Sequence, residues 1–328
     1  MVFIASLTSI ALTLATLAWV APTSIPDQLV TTMQKGGQQQ VKDLDLNVLN
    51  KTKQRLWYIY DKRNKIDNNF YSNSTDRLQA VMFSSDGWAV TYAPKYSKGT
   101  EKYWEGIDYQ GTSYSVEKVF VDHLSKFTYV KFAGDGFPFI SFENWNNLTE
   151  GSLVWELSYD RNVQHVLKNP LNLGNEKKYS IWKSQFFYNL ADAKVGDLII
   201  NENGAMVGLI DKNGSIIYGW MIDSQYASIL QSGSPNYMGV DWSGYMVHGF
   251  TKNVDFTKRL SGFYVESSPT SATSSTVGVG DLVVRIENKT LEEQDVSRQI
   301  LSAPEQFLAT VFRDNREVEI LVDKTKVQ

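Results

Sequence analysis

Between Ser184 and Ser215 the chain holds no serine, threonine or cysteine, so residues 189–210, NLADAKVGDLIINENGAMVGLI, offer no small nucleophile. Chemistry-bearing residues are sparse elsewhere too. There is no cysteine, which removes disulfides, thiolate catalysis and thiolate-bound metals together. The three histidines, His123, His165 and His248, lie far apart without ligand spacing, so no metal site and no cofactor is implied. His123 beside Asp122 reads as a surface pair on a turn. A Ser-Lys dyad would need a serine close to Lys126 or Lys194. Ser125 adjoins Lys126, but consecutive strand residues face opposite sides, and both lysines are expected in solvent.

The elements that must position these residues are mostly strands. From Arg55 onward short apolar runs alternate with Gly, Asn, Asp and Ser: LWYIY, LQAVMFSS, WAVTYA, FTYVKFA, SLVWELS, LIINENGAMVGLI and IIYGWMI. That texture predicts an antiparallel barrel or sandwich rather than a parallel α/β sheet. NENG and DKNG are hairpin signals, because Asn-Gly supplies the positive φ that tight turns need. A second unit follows Gly233-Ser234-Pro235. It carries further strands, a helix over 296–302 and a closing hairpin at Arg313-Asp314-Asn315, and 235–328 is a usual domain length.

A chain of 328 residues, 42% hydrophobic and 13% aromatic, can bury cores in two domains. Net charge −4 and pI near 5.5 give no basic footprint for nucleic acid. Five Asn-x-Ser/Thr sequons, at Asn50, Asn73, Asn147, Asn213 and Asn288, matter only in a secreted eukaryotic chain. Residues 2–21, VFIASLTSIALTLATLAWVA, carry no charge and are long enough as a helix to span a bilayer core. They read as an uncleaved anchor, with no basic n-region for a signal peptide and almost no positive-inside signal to set orientation. Residues 23–54 form a polar, partly helical spacer broken by QKGGQQQ.

The order of motifs resembles an HtrA-type, trypsin-like serine protease domain (55–232) followed by a PDZ domain (235–328). SSDGWAVT at 84–91 is similar to the family's S-S-D-G-Y-I-L-T, and 193–201 lies on the frame G-N-S-G-G-P-L-V-N. VGVGDLVVRIENKTL at 277–291 and FRDNREVEILV at 312–322 are similar to the second half of a PDZ domain. The resemblance implies a mainly β fold of two antiparallel barrels plus a PDZ domain, an extracytoplasmic globular part behind a single-pass anchor, a role in protein quality control, and assembly as homotrimers.

The catalytic positions do not carry over. Pro94 stands at the general-base histidine, Lys126 at the orienting aspartate and Val195 at the nucleophile. A triad needs a hydroxyl, a base and a buried carboxylate, so the three changes imply a pseudoprotease. Ala193 and Asp197 also replace residues of the oxyanion loop. The family's carboxylate-receiving loop matches Tyr237, Met238, Gly239 and Val240, and implies peptide or protein C-termini as partners. The aromatic start, LWYIYDKR, is read as a core strand ahead of an oligomer contact. Two alternatives stay open here: a divergent active serine endopeptidase, and a structural subunit of a membrane assembly.

Overall fold

The computed structural model describes residues 43–328 except 67–69, 73–74, 145–146, 168–170, 173–178, 181–185, 188–189, 191, 253–256, 270, 292–295 and 327–328. The anchor expected at 2–21 lies outside the described residues. Among them no helix is long and apolar enough to cross a membrane.

Six strands close an antiparallel barrel in the order β1-β2-β3-β6-β5-β4. They are β1 (Leu56–Asp61), β2 (Arg77–Met82), β3 (Trp88–Thr91), β4 (Trp104–Ile107), β5 (Ser113–Val121) and β6 (Thr128–Phe132). Alternation along β1 sends Trp57 and Ile59 into the barrel, where they pack with Ala80, Met82, Val130 and Phe132. Leu56 faces the other way, into a core shared with the next sheet. The Trp57 ring lies 4.9 Å from Phe132 and 5.0 Å from Phe137, so the aromatic start is indeed a core strand. Before β1, Asp45 caps the helix α1 (Leu46–Lys53), its side chain accepting the Asn47 amide at 2.7 Å. Leu44, Val48 and Leu49 of this polar stretch pack against the shared core.

In the second half of this region the described strands form a sheet where a second barrel is expected. β7 (Leu153–Leu157), β8 (Asn162–Val166), β12 (Leu198–Ile200), β13 (Met206–Ile210) and β14 (Ile216–Tyr218) form a five-stranded sheet ordered β14-β13-β12-β7-β8, which does not close among the described residues. Between β8 and β12, β9 (Leu171–Asn172) pairs with β11 (Phe186–Phe187). The sheet is buried on both faces: Trp155, Leu198 and Leu209 face one core, and Val154, Ile199 and Ile210 the other. Both expected hairpins form, with Gly204 and Gly214 at φ 79° and 77°. IIYGWMI is not one strand: β14 ends at Tyr218 and α2 (Trp220–Ser232) begins. Ile222 and Ile229, seven residues and two turns apart, bury the same helical face. The helix ends at Gly233 with φ 72°, a conformation glycine adopts without strain.

The C-terminal sheet is ordered β10-β16-β17-β18-β20-β21. Its strands are β10 (Tyr179–Ser180), β16 (Ser243–Lys252), β17 (Thr257–Ser267), β18 (Leu282–Ile286), β20 (Gln306–Arg313) and β21 (Arg316–Asp323), with β19 (Lys289–Thr290) on β18. The turn Asp314-Asn315 has positive φ at both residues, which aligns β20 with β21. The helix α3 spans Val296–Ser302 as the sequence predicts, with Val296 and Ile300 in the sheet's core. β15 (Met238–Gly239) pairs with β22 (Thr325–Lys326). Arg313 bonds Asp281 at 2.6 Å and the Thr276 carbonyl at 3.0 Å, tying down the end of the connection between β17 and β18.

Candidate functional site

A cavity of about 830 Å³ opens where β3, β5 and the β13–β14 hairpin meet, lined by Tyr92, Pro94, Phe120, His123, Lys126 and Lys212 among others. Pro94 and Lys126 both line it. Among the described residues no serine lines it, and its Thr128 is buried. Lys126 stands at φ 66° with Nζ 3.5 Å from the buried Asp211 carboxylate. Asp211 is committed to its own turn, accepting the Asn213 and Ser215 amides at 2.7 and 3.0 Å. The neighbouring Ser125 hydroxyl donates instead to Asp122, so Ser125 and Lys126 serve different partners and form no dyad.

Val195 is not part of that lining. It is 49% exposed on the turn before β12, joined to the cavity through its neighbours: the Gly196 amide donates to the Ile210 carbonyl at 2.8 Å, beside Asp211. The other amides of this turn are occupied as well. Ala193 donates to the Leu190 carbonyl at 2.9 Å and Asp197 to the Lys194 carbonyl at 3.1 Å. The Lys194 amide donates to Glu156 Oε1 at 2.7 Å. Of residues 193–197 only Val195 has an amide without such a partner, whereas an oxyanion hole needs convergent donors aimed at empty space.

Glu156 is the residue the sequence reading missed. It lies in β7 at 0% exposure, takes His165 Nε2 at 2.8 Å and Arg161 at 3.3 Å on Oε2, and hydrogen-bonds Asp197. A lone acid inside the apolar run SLVWELS was the available signal. Burial pushes its carboxyl up, but the bonds from His165 and the Lys194 amide and the Arg161 charge hold it below the usual range. Asp197, 4% exposed, moves the other way: burial, then the hydrogen bond and negative charge of Glu156, push it up to about 7. No protein donor reaches Asp197 Oδ2, so nothing there offsets the burial and the Glu156 charge that disfavour its ionised form. His165 is thus held by a carboxylate on the sheet. His123 is exposed, and no described residue hydrogen-bonds its ring.

The segment 237–240 bridges the two halves of the fold. Tyr237 is 6% exposed in the core shared by the barrel and sheet, and its hydroxyl donates to Asp122 Oδ2 at 2.7 Å. Burial first, then Tyr129 and Asp122, push its phenol far up. Met238 and Gly239 form β15, and Val240 enters the C-terminal core. The segment leads into β16, with α3 lying against β15.

Solved structures similar to this one include HtrA-type proteases. A variant of the HtrA-type protease AlgW with a tripeptide matches at a TM-score of 0.53 and 12% identity, covering 86% of this chain and 97% of that one. AlgW itself with a tripeptide matches at 0.50 and 12% over the same shares. At this identity the likeness establishes the fold: mainly β, barrel-containing and trypsin-like. No protein-family model and no curated protein matches the chain.

Proposed function

We propose that the protein is a membrane-anchored, catalytically inactive HtrA-like pseudoprotease that binds the C-termini of peptides or proteins through a PDZ domain formed by its C-terminal sheet. The observation that carries inactivity is the turn 193–197, where an exposed valine replaces a hydroxyl and four of five amides are spent on protein acceptors. Acyl transfer there would lack a nucleophile, a base and an oxyanion site together. Peptide binding is supported by Met238, Gly239 and Val240 leading straight into β16, the long strand on the outer side of the C-terminal sheet. The amides of this segment that do not face β22 can receive a terminal carboxylate while the peptide adds as a strand.

The test uses the full-length chain in detergent. A fluorophosphonate serine probe is expected to leave both the wild type and Val195→Ser unlabelled, because Lys126 is held by Asp211 and His165 by Glu156. Stoichiometric labelling of the wild type sinks the inactive reading. A peptide with a free C-terminus and an apolar last residue is expected to bind, and its C-terminal amide to bind roughly ten- to a hundredfold more weakly, the loss of a charge-assisted contact of about 1.5–3 kcal/mol. Equal affinity for acid and amide by fluorescence anisotropy rejects terminus recognition.

A further inference from the structure

β16 runs along the outer side of the C-terminal sheet, and its edge presents backbone donors and acceptors that would pair with any extended chain. That edge is occupied at its start. β10 pairs with it antiparallel, Tyr179 opposite Gly244 and Ser180 opposite Ser243. β10 belongs to the connection between β8 and β12, so the protease-like half lends a strand to the C-terminal half. Antiparallel pairing fixes its direction. From Tyr179 to Ser180 the chain runs toward the beginning of β16, and so toward Met238, Gly239 and Val240. A peptide with its C-terminus at those amides would run the same way over the same residues, and one strand edge cannot pair with two chains at once.

We propose that β10 is an internal stand-in for the peptide, closing the ligand edge of β16 in cis, so that a peptide binds only by displacing it. The proposal rests on the reading that this sheet receives peptides. The ladder to β10 covers two residues of a ten-residue strand. A ligand extending further along β16 forms pairs that β10 does not, which makes β10 a displaceable cap and favours long, extended partners over short ones.

The absence of cysteine allows a direct test in the full-length chain. Facing residues of an antiparallel ladder have Cα atoms about 4.5–5.5 Å apart, within reach of a disulfide. Ser180→Cys with Ser243→Cys is expected to form one on oxidation, to weaken binding of the free-C-terminus peptide at least about tenfold, and to recover it on reduction. Tyr179→Pro with Ser180→Pro removes both amide donors from β10. It is expected to tighten peptide binding about three- to tenfold, the worth of one or two ladder hydrogen bonds, and to speed amide exchange at residues 243–245. Failure of the disulfide to form, or unchanged exchange in the proline variant, overturns the placement of β10. A disulfide that forms without altering affinity overturns the competition and leaves peptide binding standing. Absence of binding to every form, reduced and proline variants included, rejects the peptide reading and the competition with it.

Discussion

Gly208→Ala is expected to unfold the sheet that frames the candidate site, a loss of about 4 kcal/mol or more from one methyl group. Gly208 sits in β13 between β12 and β14, opposite Ile199 on one side and Tyr218 on the other. A Cβ there would run into the Ile217 carbonyl oxygen and the Ile216 side chain. The obstacle is backbone of the hydrogen-bonded neighbour, so no rotamer change relieves it and β13 must part from β14. Thermal unfolding followed by circular dichroism checks this, and a variant within about 1 kcal/mol of the wild type would refute the β13–β14 register.

The second large effect belongs to Glu156. Glu156→Leu removes the acceptor shared by His165, Arg161, the Lys194 amide and Asp197, and is expected to cost about 3–5 kcal/mol, the usual penalty for breaking a buried ionic cluster from one side. A pH profile separates this from a simple packing defect. Because the folded-state pKa of Asp197 is raised to about 7, the folded chain keeps a proton that the unfolded chain gives up near 4. This carboxyl therefore costs stability as pH rises from about 4 to 7, and the cost is complete above that window. Glu156, held below its usual value, acts oppositely, adding stability that is lost only as pH falls below the carboxylate range. Asp197→Asn keeps a donor for Glu156 without the ionisation. It is expected to match the wild type at about pH 4 and exceed it by roughly 1–3 kcal/mol at pH 8 in urea unfolding. In Glu156→Leu the like charge is gone and the slope between pH 4 and 7 should flatten. Parallel pH profiles for all three chains would show that the two carboxyls share no proton.

Much of the local structure was legible in the residues themselves. The turns at Asn203-Gly204 and Asp314-Asn315, the helix over 296–302 and the strand runs follow from preferences that act within a few positions. The helix after Gly219 was hidden because IIYGWMI reads equally as a buried strand or a buried helix start, and a short apolar run does not distinguish them. The order of the second sheet was hidden for a related reason: it depends on which distant edges pair, which alternation within a strand does not encode.

At the site, the sequence alone determined what chemistry has no atoms to perform it. No serine, threonine or cysteine lies between Ser184 and Ser215, and no folding can add one. Only the tertiary structure decided how the remaining polar groups are spent. It carried Tyr237 to Asp122 across 115 positions, the Lys194 amide to Glu156 across 38, and β10 to the edge of β16. Such pairings arise because a buried donor, acceptor or strand edge must find a partner wherever packing has put one, and that address is written in the assembled cores rather than in any stretch of chain.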